Sequence, residues 1–146
     1  MTHIKRFDHV GITVADLDRA TAFFVLLGLE VEGTGFVEGE FVETVCGIPG
    51  ARCRLAMLAA PGGGARLELS SFDVPAHVEG SATAMANETG IRNVSFEVAD
   101  LQAAVDAVAA DGYDLVGDIG DYQGSVRMAY VRGPEGIIAS LFEQLR

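Results

Sequence analysis

Tryptophan is absent from this sequence of 146 residues, and only three tyrosines stand beside eight phenylalanines. A stacking platform for a flat aromatic ligand is therefore poorly supplied, because a packed core draws on many of those rings. Cationic side chains are scarce too, with Lys plus Arg at 10 against 21 Asp plus Glu and a formal charge of −11. So acidic a chain, with its Lys and Arg scattered singly, is repelled by phosphate backbones and anionic lipid, and neither nucleic acid nor a membrane is expected as a partner. The only cysteines, Cys46 and Cys53, form no C-x-x-C and have no His at finger spacing. That excludes a zinc finger or a disulfide scaffold and leaves two reduced, mostly packed thiols. No apolar run reaches the ~18 residues of a membrane span: Ala22 to Leu27 meets Gly28 and Glu30, and Leu55 to Ala60 meets Pro61. Met1 to Asp8 lacks the apolar stretch of a secretory signal, so a cytoplasmic protein is expected.

What the sequence does contain is a repeat. Residues 9 to 33 laid on 93 to 117 share Val10/Val94, Val14/Val98, Ala15/Ala99, Asp16/Asp100, Leu17/Leu101, Ala20/Ala104, Gly28/Gly112 and Gly33/Gly117 in one ungapped register, which reads as a duplication. Each copy opens on a strand, His9 to Val14 and Asn93 to Val98. Val10, Ile12 and Val14, or Val94, Phe96 and Val98, form the apolar face, while His9, Gly11 and Thr13, or Asn93, Ser95 and Glu97, form the polar one. Asp16 and Asp100 stand where helix N-caps belong. Leu17, Ala20, Phe24 and Leu27 then recur at helical spacing before Gly28, as do Leu101, Ala104, Val105 and Val108 before Gly112. Hairpins follow, Arg52–Ala59 with Ala65–Ser71 around Pro-Gly-Gly-Gly and Ser125–Arg132 with Ile137–Glu143 around Gly-Pro-Glu-Gly. Gly62 to Gly64 lack the G-K-[ST] of a phosphate loop and read as that turn. Residues 73 to 90 read as a linker with a short helix near Ala82 to Asn87 and a solvated His77.

The segments Phe-Asp-His-Val-Gly-Ile-Thr-Val-Ala-Asp-Leu at 7 to 17, Arg-Leu-Glu-Leu-Ser at 66 to 70, Ile-Arg-Asn-Val-Ser-Phe-Glu-Val-Ala-Asp-Leu at 91 to 101 and Tyr-Val-Arg-Gly-Pro-Glu-Gly at 130 to 136 resemble the vicinal oxygen chelate superfamily. That group includes glyoxalase I, methylmalonyl-CoA epimerase, extradiol dioxygenases and the bleomycin and fosfomycin resistance proteins. The resemblance spans essentially the whole chain and implies an α+β fold: a single domain of two βαβββ modules, about 4–72 and 91–146, whose curled sheets form a shared cleft with the helices on the convex side. It also implies a homodimer. Carried over position by position, the family's ligands for a divalent metal (Zn, Fe, Mn or Ni) fall on His9, Glu68, Asn93 and Ser140. His9 and Glu68 are ordinary ligands, whereas Asn93 is a weak candidate and Ser140 offers only a neutral hydroxyl. Glu143 lies three residues past Ser140, on the other face by strand alternation.

Read for their chemistry, Glu68 and His9 are the candidate catalytic residues, since a carboxylate between Leu67 and Leu69 is costly to half-bury unless paired or used. An ion pair with Arg66 is the structural alternative for Glu68. Thr13, Arg66, Ser70, Asn93, Ser95 and Ser140 are the candidate substrate-binding residues. Three functions stay open: metal-assisted chelation or oxygen activation through His9 and Glu68; metal-free proton abstraction next to a carbonyl by Glu68, with His9 or Asn93 hydrogen-bonding the enolate, in an isomerase, epimerase or lyase; and non-catalytic sequestration of a small molecule. The first two would make this a glyoxalase-like enzyme, and the third a bleomycin-resistance type of binder. Gly33 to Gly50 reads as a rim whose Glu38, Glu40 and Glu43 form a solvated face.

Overall fold

The computed structural model describes residues 3–146. They form two compact units that divide between Glu79 and Gly80, inside the segment expected to link the modules. Together they hold nine strands in two sheets and three α-helices.

In the first unit, β1 (His9–Thr13) leads into α1 (Leu17–Leu27), followed by β2 (Glu30–Glu38), α2 (Glu40–Cys46), β3 (Arg52–Ala59) and β4 (Arg66–Val74). The sheet order is β1-β4-β3-β2. β1 runs parallel to β4 and the other pairs are antiparallel. Helix α1 begins where Asp16 accepts a hydrogen bond from the Arg19 backbone N–H at 3.0 Å, which satisfies one of the donors a helix start leaves free. It ends at Gly28 and buries Ala20, Phe23 and Phe24 against the face of β3 and β4 that carries Ala56, Leu58, Leu67 and Leu69. Alternation along β4 then leaves Arg66, Glu68 and Ser70 on the opposite face. Leu17 and Leu27 sit only half-buried, and Phe23 takes the place in the core that helical spacing alone assigned to them.

The second unit repeats the plan with β5 (Asn93–Glu97), α3 (Leu101–Ala110), β6 (Asp114–Leu115), β7 (Gly120–Tyr122), β8 (Val126–Arg132) and β9 (Ile138–Gln144). Its sheet order is β5-β9-β8-β6, with β7 also on β8, and β5 again runs parallel to the last strand. Asp100 caps α3 through the Ala103 N–H at 3.0 Å, and Leu101, Val105 and Val108 pack on a sheet face holding Ala129, Val131, Ala139 and Leu141. Without the inserts α2 and β7, each unit is βαβββ.

The expected helix near Ala82 to Asn87 is absent, and the segment is a series of turns. Its carbonyls are used otherwise: the Arg132 guanidinium donates to the carbonyls of Ala82 at 3.3 Å and Ala84 at 2.9 Å, and also to that of Gly136 at 3.1 Å. Carbonyls claimed by a guanidinium are not free for the i to i+4 ladder. The 33–50 segment, read as a rim, consists of most of β2 followed by α2. Of its carboxylates, Glu38 pairs with Arg52 and Glu43 accepts from the Gly50 N–H, so two of the three are engaged rather than merely solvated. His77 lies 2.7 Å from Glu79 and is partly exposed. Cys53 is buried as expected, but Cys46, at the end of α2, is exposed.

Candidate functional site

The two equivalent polar faces are fixed by strand register. β1 pairs with β4 so that His9 faces Arg66, Gly11 faces Glu68 and Thr13 faces Ser70. In the second unit Asn93 faces Ile138 and Ser95 faces Ser140. Gly11 and Ser95 are equivalent in the repeat, so Glu68 and Ser140 occupy the same place in their respective sheets. Glu143 points to the helix side, where its Oε1 accepts a hydrogen bond from the Leu101 N–H at 2.6 Å.

On the first sheet, His9 Nε2 lies 3.8 Å from Glu68 Oε2, with the two side chains 36% and 28% exposed. The other ring nitrogen, Nδ1, lies 2.7 Å from Asp8 Oδ2. Arg66 does not pair with Glu68, as the alternative reading of Glu68 expected. Its Nη2 donates to both Asp8 oxygens at 3.0 and 3.1 Å, and its Nη1 donates to Glu32 Oε1 at 2.6 Å. Arg6 Nη1 adds a further contact to Asp8 Oδ1 at 2.6 Å. The guanidinium of Arg66 is thus held at its edge of the sheet by two carboxylates, and Glu68 keeps the imidazole as its neighbour. Hydrogen bonds from His9, Arg66 and Arg6 hold the Asp8 carboxyl at about 2, against a smaller opposing effect of desolvation. Glu32 and Asp8 raise Arg66 above its ordinary value.

The remaining predicted residues fall into two groups. Thr13 and Ser70 share the polar face with Glu68 by register and parity. Ser95, Ser140 and Asn93 lie on the second sheet, where Ser95 Oγ donates to Ser140 Oγ at 3.2 Å, Ser140 is buried and Asn93 is exposed. Asp8 and Glu32 were not singled out from the sequence. Asp8 precedes the strand, and Glu32 sits at an irregularity between Val31 and Gly33, where a bulge turns a side chain away from strict alternation. Only the adjacency of Asp8 to His9 carried a signal.

The donor set does not fit a catalytic divalent ion. Such an ion is ordinarily held by three protein ligands with one position left open. His9 Nε2 and Glu68 supply two. Asp8 is on the opposite side of the imidazole and engaged by two arginines, and the second sheet places an amide and a buried hydroxyl at the matching positions. Among the described residues, no group of three or more His, Cys, Asp or Glu is arranged to hold a metal ion. Likewise, no described helix is long and apolar enough to cross a membrane.

Residues 8–130 match the family model described as the Glyoxalase/Bleomycin resistance protein/Dioxygenase superfamily. A crystal structure of a glyoxalase family protein from Bacillus cereus is 38% identical, with a TM-score of 0.95, covering 99% of this chain and 97% of that one. Two more distant structures share the fold. Glyoxalase I from Zea mays is 18% identical with a TM-score of 0.67, covering 96% of this chain and 47% of that one. A fosfomycin resistance protein from Listeria monocytogenes is 14% identical with a TM-score of 0.61, covering 95% and 93%. Among curated proteins there is no match.

Proposed function

This chain belongs to the glyoxalase/bleomycin resistance protein/dioxygenase superfamily, and from that premise we propose that it is a small-molecule enzyme that moves a proton next to a carbonyl group without a metal ion. The observation that carries this reading is the Glu68 carboxylate, half-buried, unpaired with Arg66 and 3.8 Å from the His9 imidazole. A carboxylate kept clear of guanidinium contact has its oxygens open to a substrate proton, and general-base catalysis of this kind contributes typically ~10²–10⁴ in rate. Glu68 is the base, His9 holds the substrate beside it, and the hydroxyls of Thr13 and Ser70 on the same face are the donors for the enolate oxygen. The product is an isomer, an epimer or an elimination product, according to where the proton is returned. The partner is a small molecule, and the assembly we carry forward from the family resemblance is a homodimer.

Elemental analysis of protein purified without affinity tag or chelator, beside melting curves with added Zn²⁺, Mn²⁺, Fe²⁺ and Ni²⁺, tests the metal-free reading. The expected result is far less than one ion per chain and no melting shift that depends on His9 and Glu68. Near-stoichiometric metal, lost in both His9→Ala and Glu68→Ala, would overturn it in favour of chelation chemistry.

A further inference from the structure

The carboxylate of Asp8 stands at the centre of a set of donors. Arg66 Nη2 donates to both of its oxygens, Arg6 contacts Oδ1, and His9 Nδ1 lies 2.7 Å from Oδ2. An ionised carboxylate accepts hydrogen bonds and has none to give. The proton in the contact between Asp8 and His9 therefore sits on the imidazole, at Nδ1. In a neutral imidazole only one nitrogen carries a proton, so the other, Nε2, is left with its lone pair, and Nε2 is the nitrogen 3.8 Å from Glu68.

We infer that Asp8 is a positioning residue: it fixes the His9 proton on Nδ1, so that Nε2 and Glu68 together present two acceptors to the ligand. This rests on the proposed function and sharpens it. A neutral His9 held in this way cannot donate to an enolate oxygen, so that task passes to the hydroxyls of Thr13 and Ser70. The ligand instead meets His9 through a donor of its own, a hydroxyl or an ammonium group. Arg66 is already bound by Asp8 and Glu32, so its guanidinium is not free to take a phosphate or carboxylate of the ligand. Arg66 and Glu32 act one step further out. Glu32 holds Arg66 and Arg66 holds Asp8, while Asp8 engages the far side of the ring as the partners of ligating or catalytic histidines commonly do.

The test reads the proton directly and needs no substrate. Long-range proton–nitrogen correlation spectra of ¹⁵N-histidine-labelled protein at neutral pH report which nitrogen of each neutral ring is protonated. The chain has three histidines, and the His9 signals are identified by their loss in His9→Gln. In the wild type, His9 is expected to be protonated on Nδ1 and bare on Nε2. Asp8→Ala is expected to convert this into a mixture of tautomers, and Asp8→Asn, whose amide oxygen still accepts, to retain the Nδ1–H form. A His9 proton found on Nε2 in the wild type overturns the inference without recourse to any variant. So does an unchanged tautomer in a folded Asp8→Ala. Failure of the proposed function would show itself elsewhere, as absence of proton exchange on any carbonyl compound while the tautomer stays as described.

Discussion

Gly136→Ala is expected to be among the most damaging single-methyl additions on the surface of the second unit. Gly136 has φ +84°, and a Cβ built there would collide with the backbone carbonyl of Ala82. The left-handed backbone alone costs an alanine about 1–2 kcal/mol. The clash comes on top of this, since its partner is main chain and cannot swing aside as a flexible side chain would. To relieve it, the turn at Ala82 must move off Arg132, which donates to the carbonyls of Ala82 and Ala84. Hydrogen bonds to a charged group contribute about 1.5–3 kcal/mol when buried, and the partial exposure of these reduces the loss to about 2 kcal/mol for the pair. The total is about 3–4 kcal/mol. Gly112→Ala is the control, in the same unit at φ +92° with nothing within 4 Å of its Cβ, so it bears the backbone term alone. With a urea m-value of about 2 kcal/mol/M, the two variants should differ in unfolding midpoint by about 1 M. Coincident midpoints would refute the argument that the turn at Ala82 is pinned to the Gly133–Ile137 corner.

Glu143→Ala removes the acceptor that β9 offers to the first N–H of α3, and should cost about 1–2 kcal/mol in urea unfolding with most of the loss recovered in Glu143→Gln. The Asp8 carboxyl is lowered from 3.8 to about 2, so its contribution is complete above about pH 4 and lost as the pH falls through 2; the gap in melting temperature between wild type and Asp8→Asn should be constant from pH 7 to 4 and close by pH 2. A gap that persists at pH 2 contradicts that assignment. Burial pushes the Cys53 thiol up, while Cys46 is exposed, so iodoacetamide at pH 8 should label Cys46 in the folded protein well before Cys53, as read by peptide mass mapping.

Much of the fold was legible because it is written locally and twice. Asp16 and Asp100 cap the helices that their positions announced, and period-two alternation placed Leu67 and Leu69 in the core with Glu68 on the far face. The family resemblance supplied the places of Glu68 and Ser140, and the strand pairing sets them opposite Gly11 and Ser95, which are equivalent in the repeat. What escaped was non-local. The helix expected near Ala82 to Asn87 was undone by Arg132, some fifty residues on in the chain. Arg66 and Glu68 share a face two residues apart, which suggested a pair. The structure instead gives Arg66 to Asp8, 58 residues away, and to Glu32, 34 residues away. No periodicity reports a contact made across a sheet edge, and that contact is what leaves Glu68 beside His9.

The central claim is that Glu68 takes a proton from carbon. Its most direct test is solvent exchange: wild-type protein and Glu68→Gln are incubated in D₂O with a panel of small hydroxy- and amino-carbonyl compounds, and deuterium at the carbon next to the carbonyl is read by proton NMR. The account predicts enzyme-dependent exchange on at least one compound, reduced ~10²–10⁴-fold in Glu68→Gln with the melting temperature unchanged. Exchange that survives the substitution would contradict the role of Glu68, and a compound that binds tightly without any exchange would make this protein a binder rather than an enzyme.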